Sequence, residues 1–275
     1  MKPVKTIKKT LLYLLLIIGA LVMAFPFFWM IISSLKTAAE VNTSPPTFWP
    51  QSFMFENYRY AFEKAPFLIY FKNSVIVTLS CVAITLFTTI LAAFAFSRLK
   101  FPGRDLIFSL LLALMMIPFE ILIITNYTTI VSWGLMDTLI ALVIPFTSSI
   151  FFTFILRNFF LSIPDSLYYS ARVDGANNWR YLWRIMVPIA KPALVTIALL
   201  NAIAAWNSFL WTMIATNTTE VRTLPFGLYA FMSSSGIRYE RLMAAATIVV
   251  LPMLILFVFF RRHVVAGVSR GGMKG

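Results

Sequence analysis

The chain has 275 residues, of which 60% are hydrophobic and only 12% carry a charge. A mean hydropathy of +0.85 lies far outside the range of soluble domains and predicts an integral membrane protein. One cysteine, Cys81, excludes an intrachain disulfide and a thiolate metal cluster, and the sequence predicts no metal site. The net charge of +13 would suit nucleic acid, but its placement along the chain indicates a membrane instead.

Six apolar segments are each long enough to cross a hydrocarbon core of about 30 Å. The first follows four lysines between positions 2 and 9. Its apolar run exceeds the core of a signal peptide and has no small-residue cleavage site, so we expect it to remain uncleaved. The sequence therefore predicts an all-α membrane protein with six transmembrane helices in a single domain, residues 1–275. The segments lie near residues 11–34, 71–97, 105–126, 138–160, 192–214 and 242–260.

Basic residues concentrate on one side of this topology. With the N-terminus inside, the inner segments hold 16 basic and three acidic residues, whereas the outer segments and their margins hold seven of each. The whole net charge then lies on the inner side, as the positive-inside rule requires. We expect both termini to be cytoplasmic, and we expect the partner of these charges to be the lipid bilayer, with no nucleic acid bound.

Prolines shape the expected backbone. Between Lys36 and Tyr70, prolines and aromatic residues favour an extended stretch at the outer interface, with a short helix from Asn57 to Lys64. Pro145 in the fourth span predicts a kink there. The hydroxyls of residues 147–149 are expected to satisfy the backbone groups that this kink frees.

Polar side chains inside the apolar segments are candidates for a transport path. Glu120 lies well within the third span and should face the bundle interior or a wet cavity, because a charge in lipid is costly. Asn201 and Asn207 lie in the fifth span near Trp206 and Trp211. Indole planes beside amides suit a sugar, which offers C–H faces and hydroxyls. The alternatives are a structural polar contact for Glu120 and an outer aromatic belt for the tryptophans.

A polar interruption at about residues 161–191 carries helix signals at both ends. Ser162, followed by Asp165, predicts a helix start at which side chains satisfy free N–H groups, and Gly175 predicts its end. Asn177 can cap a second helix that Pro188 closes. Such short helices need a surface to pack on. Spacing leaves two interpretations open, a hairpin lying on the membrane surface and a docking element for another protein.

The residues of this loop resemble a known motif. The run from Tyr169 to Ala176, with Ile185 and Val187-Pro188 following, resembles the "EAA" loop of membrane subunits of binding-protein-dependent ABC importers. Further stretches resemble the carbohydrate branch of that family, and they span nearly the whole chain. These are residues 46–50 leading to Asn57-Tyr58, residues 94–103, residues 117–135 and residues 264–275.

The resemblance implies a fold, a docking site and partners. The fold is the type I ABC importer permease, with a coupling helix between spans four and five. The partners are a second related permease, two nucleotide-binding ATPase subunits that carry ATP and Mg²⁺, and an extracytoplasmic solute-binding protein, in the inner membrane of a bacterium. No cofactor is expected in this chain. The residues implied in ATPase coupling are Tyr169, Ser170, Ala171, Arg172, Asp174, Gly175, Ala176 and Pro188 in the loop, and Gly271, Gly272 and Lys274 in the cytoplasmic tail, about residues 261–275.

The sequence departs from the motif at its start. Tyr169 occupies the position of the usual glutamate and Ser170 that of the first alanine. Any ion pair made by that glutamate is therefore missing, and an aromatic or hydroxyl contact has to replace it. The tail is expected to be disordered by default.

Other function classes remain for comparison. The sequence has no phosphate-binding loop, no H-E-x-x-H and no credible nucleophile with its base, which argues against an enzyme. An ion-coupled secondary transporter would need several intramembrane ionisable groups and related halves, and neither is visible. The sequence leaves the substrate open between sugars or oligosaccharides, uronates, glycerol 3-phosphate and another small polar solute.

Overall fold

The computed structural model describes residues 2–232 and 237–271, with side chains for residues 8–232 and 237–259. The secondary structure of these ranges is helical, without strands. The chain divides into two compact units. Unit one comprises the residues up to 67 together with residues 227–252, and unit two comprises residues 68–226 with the residues from 253 onward.

Unit one begins with a long apolar helix, α1 (Lys2–Ser34). Its apolar side chains, such as Leu15 and Met23, are mostly exposed within the chain. A helix that is apolar on all sides is typical of a membrane span, because lipid covers the side chains that the protein itself leaves exposed. Two short helices follow, α2 (Ala38–Val41) and α3 (Glu56–Lys64). The helix predicted for residues 57–64 is therefore confirmed.

The segment between α1 and α3 folds around a buried charge. The Lys36 side chain is 1% exposed; its Nζ donates a hydrogen bond to the carbonyl of Thr47 and lies 4.4 Å from the centre of the Trp29 ring. Burial lowers the pKa of Lys36, and the nearby carboxylate of Glu40 opposes that shift. The prediction of a simple extended stretch is wrong here, because a buried ammonium holds the chain in a compact turn.

Glu40 and Asn57 complete this turn. Thr37 and Glu40 form a capping box at the start of α2, and Glu40 also accepts a hydrogen bond from the backbone N–H of Gln51. The Asn57 amide donates to the carbonyls of Ser34 and Lys36, at 2.9 Å each. Buried side chains therefore satisfy backbone groups that no regular element pairs.

Unit two contains most of the remaining helices. They alternate between long apolar helices and short pieces at breaks. In order they are α4 (Phe67–Arg98), α5 (Arg104–Leu114), α6 (Phe119–Ser132), α7 (Leu139–Val143), a 3₁₀ turn (Ile144–Phe146), α8 (Ile150–Leu161), α9 (Asp165–Val173), α10 (Asn178–Tyr181), a π-helical turn (Leu182–Met186), α11 (Val187–Ile189), α12 (Lys191–Trp206) and α13 (Phe209–Ala215).

The membrane spans number up to six. Within residues 2–232 and 237–271, three helices are long and apolar enough to cross a bilayer, and the count reaches the predicted six when each of three bent helix pairs is taken as one span. The span expected at 105–126 is two helices, α5 and α6, bent by 96°, because Pro118 precedes α6 and cannot continue α5. The α7 segment and α8 meet at 49°, and the predicted kink of the fourth span is thereby confirmed.

The last helix, α14 (Tyr239–Gly271), runs past the predicted end of the sixth span at residue 260. The expectation of a disordered tail from residue 261 is therefore wrong as far as Gly271, where the helix ends. This part of the sequence, with Val264, Val265 and Ala266 and without proline, has nothing that stops a helix.

We expect Gly227→Ala to destabilise unit one and Gly19→Ala to leave it unchanged. A Cβ at Gly227 would overlap the ring of Phe67, which packs against Phe62 and Phe231. An added Cβ at Gly19 meets nothing within 4 Å. Because overpacking costs about 1–3 kcal/mol, the melting temperature of the purified protein should fall for Gly227→Ala alone. Equal melting temperatures for the two variants would contradict this packing.

Candidate functional site: the loop of residues 161–191 and the cavity beside Asn201

The first helix of the loop begins differently from the prediction. The Ser162 hydroxyl donates to the carbonyl of Phe159 and ends α8, and α9 begins at Asp165 after Pro164 without a side-chain cap. The predicted capping by Ser162 is therefore wrong. Pro164 occupies the N-cap position instead, with a φ of −58° and an extended ψ of 138°. Asp165 is left free to bind another partner, described below.

Gly175 terminates α9 in the predicted way. Its φ of +77° is left-handed, which glycine adopts without the steric cost of a Cβ. The N–H of Ala176 donates to the carbonyl of Ala171, and the N–H of Gly175 donates to that of Arg172. This pair of bonds is a Schellman motif, with buried Ala171 and Ala176 as its apolar contact. The Arg172 guanidinium also donates to the carbonyl of Ala176.

The second helical segment begins at the predicted cap. The Asn177 side chain accepts a hydrogen bond of 2.8 Å from the N–H of Arg180. The segment then widens into the π-helical turn Leu182–Met186 and continues to Ile189, one residue beyond Pro188. The expectation that Pro188 closes the helix is thus off by one residue. The chain turns by 78° between this segment and α12.

The loop has a buried and an exposed face. Ala171, Ala176, Tyr181, Leu182 and Met186 belong to a core that also contains Phe94 of α4 and Leu156 of α8. The opposite face exposes large apolar groups among charges. Its exposed side chains include Tyr169, Ser170, Arg172, Val173, Asp174 and Trp179.

Aromatic side chains brace the two helices of the loop against each other. The Tyr168 hydroxyl donates to Oδ1 of Asn178 at 3.0 Å, and its ring meets Tyr181 edge-on at 5.0 Å. Tyr181 is fully buried, and this burial raises its pKa, so it stays protonated. The hairpin is therefore one rigid piece rather than two hinged helices. Sequence reasoning missed Tyr168 and Tyr181.

A second missed residue, Arg98, ties the loop to α4. Its Nη2 donates to the carbonyls of Phe160 and Ile163, at 2.7 and 2.6 Å, and its Nη1 donates to the carboxylate of Asp165. The Arg98 side chain is 5% exposed, whereas that of Asp165 is 72% exposed. The last residue of α4 therefore holds the junction between α8 and α9. The sequence did carry a signal for this contact. Arg98 is a basic residue at the very end of a span, and Asp165 is an acidic residue at the start of a later helix.

A neighbouring arginine, Arg157, joins the ends of the spans that lie next to the loop. Arg157 of α8 donates to the carbonyl of Phe96 at 3.1 Å and lies over the ring of Phe108 at 4.2 Å. Its guanidinium is also 3.6 Å from the carboxylate of Asp105. The ends of α4, α5 and α8 next to the loop are therefore joined by buried or half-buried guanidinium groups.

The predicted path residues lie in different surroundings. Glu120 is exposed within the chain, in the first turn of α6, where a carboxylate suits the helix dipole. The exposed Asn207 amide donates to the carbonyl of Ile203 in its own helix. Trp206 is buried and meets the ring of Phe71 at 6.0 Å. Trp211 is 1% exposed and donates to the carbonyl of Ala141, an arrangement typical of a packing residue.

Asn201 lies beside a cavity of about 220 Å³ in unit two. The cavity sits at the break between α7 and α8, and its walls carry hydroxyls, one amide and two aromatic rings. It is lined by Thr85, Phe146, Ser148, Ser149, Phe152, Asn201, Ala204, Ala205 and Ser208. The structure brings Asn201 to this cavity but not the other four predicted path residues, whose roles stay predictions.

The remaining predicted site residues are in the tail. Gly271 is the last residue of α14, and Gly272 and Lys274 lie outside the described residues. Within the described side chains, no group of three His, Cys, Asp or Glu residues lies close enough together to hold a metal ion.

Comparison with protein families decides the class of the chain. Residues 84–270 match the family described as the binding-protein-dependent transport system inner membrane component. The chain belongs to this family. The match covers the broken spans, the loop and most of α14, so the resemblance seen in the loop residues is confirmed. A member of this family is a transporter permease subunit in the inner membrane, not a catalytic enzyme.

Similar proteins carry the names of sugar permeases. The chain is 32% identical over 274 residues to the arabinooligosaccharides transport system permease protein AraQ of Bacillus subtilis (strain 168), covering 97% of this chain and 95% of AraQ. It is 32% identical to the diacetylchitobiose uptake system permease protein NgcG of Streptomyces coelicolor, with 94% and 87% covered. It is 33% identical to the sulfoquinovosyl glycerol transport system permease protein SmoH of Agrobacterium fabrum, with 91% and 89% covered. The chain is thus a member of the carbohydrate branch, as predicted.

Solved structures confirm the fold. A chain of a bacterial ABC transporter involved in the import of the acidic polysaccharide alginate superimposes with a TM-score of 0.79 at 24% identity, covering 94% of this chain and 97% of that one. A chain from a bacterial alginate transporter in complex with an alginate pentasaccharide-bound periplasmic protein gives a TM-score of 0.66 at 17% identity, with 96% and 99% covered. At these identities the likeness establishes the permease fold and not the substrate.

We expect Arg98→Ala to destabilise the loop far more than Asp165→Ala. Loss of Arg98 leaves two carbonyls without their charged donor, and a hydrogen bond to a charged group contributes about 1.5–3 kcal/mol. Loss of Asp165 removes only an exposed ion-pair partner, which contributes about 0–1 kcal/mol. Limited proteolysis within residues 161–191 of the membrane-inserted protein measures the difference. Equal protection of both variants would refute the assignment of Arg98 as the anchor.

Proposed function

We propose that the chain is a permease subunit of an ATP-driven importer for a carbohydrate, a sugar or an oligosaccharide. It forms one half of the translocation pathway and pairs with a second, related permease subunit. The proposal rests on the family and on the names of AraQ, NgcG and SmoH, which concern sugars or sugar derivatives. Glycerol 3-phosphate or another small polar solute remains the alternative. An ion-coupled secondary transporter is disfavoured by membership in a binding-protein-dependent family.

The observation that carries the coupling part of the proposal is the two-sided loop. A hairpin anchored by Arg98 and by a buried core exposes Tyr169, Val173 and Trp179. Exposed apolar groups that a rigid base supports are typical of protein docking sites. A hairpin lying on the membrane surface would instead place its apolar face in lipid and needs no buried core of its own. We therefore assign this face to an ATPase subunit.

The proposed machine needs partners outside this chain. Two nucleotide-binding subunits bind ATP and Mg²⁺, and an extracytoplasmic solute-binding protein delivers the substrate. The periplasmic protein named in the second alginate transporter structure supports a partner of that kind. Closure of the ATPase dimer would displace the hairpin as one body, and Arg98 would pass that displacement to α4. At the position of the motif's usual glutamate, the exposed Tyr169 would make an aromatic or hydroxyl contact with the ATPase.

The proposal also fixes the orientation, with the loop and both termini in the cytoplasm. Cysteines placed at Ser234 and at Ser269, in a background where Cys81 is replaced by serine, should be labelled by an impermeant reagent from opposite sides of the membrane. The one-sided distribution of basic residues gives the physical reason. Labelling of both positions from the same side would refute this topology.

Gly175→Val tests the docking role of the loop. A β-branched residue in a left-handed conformation is strained by roughly 1–2 kcal/mol, and the surrounding space is otherwise open. We expect normal membrane insertion, weaker co-purification of the ATPase subunits and ATP hydrolysis uncoupled from sugar uptake. Gly175→Asn is the matched control, since asparagine tolerates this conformation better, and it should retain most coupling. If the valine variant keeps wild-type uptake, ATPase activity and co-purification, the loop is not the coupling element.

A further inference from the structure

Asn201 is a buried residue whose side-chain amide is open to the cavity that it lines. Asn201 is 7% exposed, and its side chain makes none of the hydrogen bonds found among the described residues. An amide offers two donors and one acceptor with two lone pairs. Leaving such a group buried and unpaired is costly, so an amide facing a cavity indicates a polar occupant.

The hydroxyls around Asn201 retain unused hydrogen-bonding capacity. The Thr85 hydroxyl donates to the carbonyl of Phe146 at 2.6 Å and keeps its lone pairs as acceptors. The Ser149 hydroxyl accepts from the N–H of Phe152 at 3.2 Å and keeps its own proton as a donor. Ser148 and Ser208 add two more hydroxyls to the lining. The cavity therefore presents both donors and acceptors to an occupant.

Two aromatic rings complete the lining of the cavity, and the volume of the cavity is small. Phe146 and Phe152 form apolar walls beside the hydroxyls. The volume of about 220 Å³ is below the roughly 300–1,000 Å³ of pockets that take drug-sized ligands. A pyranose or furanose ring matches both properties, because it has apolar C–H faces and a rim of hydroxyls. A whole oligosaccharide does not fit, so the cavity corresponds to one ring.

The charge of the residues around the cavity decides which sugars it can bind. The lining includes no Lys, Arg, Asp or Glu. Along α4, no basic residue occurs between Lys72 and Arg98, and α12 has none after Lys191. The start of α8 borders the cavity and contributes only about half a unit of positive charge. An anionic sugar would thus lose its hydration without a full countercharge from this subunit, at a cost of several kcal/mol.

Resting on the function proposed above, we propose that this cavity is a subsite for one ring of an uncharged saccharide and that it rejects uronates and other anionic sugars. The family alone does not choose, since the similar proteins include a subunit of an importer of an acidic polysaccharide. Hydrogen-bonding sites of this kind discriminate strongly against ligands that leave buried polar groups unpaired.

The test measures uptake by cells that carry the complete transporter with its cognate partners. The probes are radiolabelled arabinobiose, diacetylchitobiose and the matched pair digalactose and digalacturonate. The variants are Asn201→Leu, which keeps the volume and removes the amide, and Asn201→Ser, which keeps a polar group. Asn158→Leu is the matched control, because Asn158 is exposed on α8 and does not line the cavity. Yield of the complex and its basal ATPase activity are recorded for every variant.

We expect uptake of at least one neutral probe and no uptake of digalacturonate. Asn201→Leu should raise the half-saturation concentration about three- to tenfold, the equivalent of one lost neutral hydrogen bond, while Asn201→Ser changes it less and Asn158→Leu not at all. If Asn201→Leu lowers the yield of the complex, the serine variant decides in its place.

Two results overturn the subsite, namely measurable uptake of digalacturonate at a rate equal to that of digalactose, or a half-saturation concentration that neither Asn201 variant changes. Uptake of no saccharide of either charge is a different failure, because it removes the proposed carbohydrate function itself. The two proposals therefore fail in distinguishable ways.

Discussion

Hydrocarbon offers no hydrogen bonds, so every break in a spanning helix must be satisfied by the protein itself. The break between α7 and α8 shows how this is done. Hydroxyls of Thr85 and Thr88 on α4 donate to the carbonyls of Phe146 and Thr147, at 2.6 and 2.8 Å. The indole of Trp211 donates to the carbonyl of Ala141 at 3.0 Å. These three side chains are therefore already committed to the backbone.

This constraint places the cavity. The cavity lies where the α7 segment and α8 meet at 49°, next to Thr85 of α4. Thr85, one of the residues that satisfy the break, also lines that space. Transporters commonly bind solutes where helices are interrupted, because only there do polar backbone and side-chain groups face a protein-lined cavity. The segment that satisfies the break is thus also the one on which the proposed saccharide subsite depends.

The loop of residues 161–191 is held by a buried charged side chain, whereas neutral side chains satisfy the break between α7 and α8. Arg98 brings one guanidinium to three acceptors at the junction of α8 and α9. Because the group is planar and its donors are fixed in direction, it sets the angle between α4 and the hairpin more firmly than an apolar contact could. A docking element that must transmit a displacement needs such rigidity, since a hinged hairpin would absorb it.

The sequence by itself determined the number of spans, the left-handed glycine at Gly175, the cap at Asn177 and, through the loop motif, the family. Each of these follows from local rules, namely span length, backbone sterics and the spacing of residues along the chain. Tertiary structure alone decided the role of Arg98 and the packing of Trp211, because their partners lie 60 to 70 residues away in sequence. The burial of Lys36 depends on nearby residues, but on a compact turn that its sequence pattern did not indicate. Ser162 failed as a predicted cap for a related reason, since α8 runs on to Leu161 and uses that hydroxyl at its own end. Asn201 stood out in the sequence as a polar residue in a span, but only the bend between α7 and α8 gave it a cavity to face.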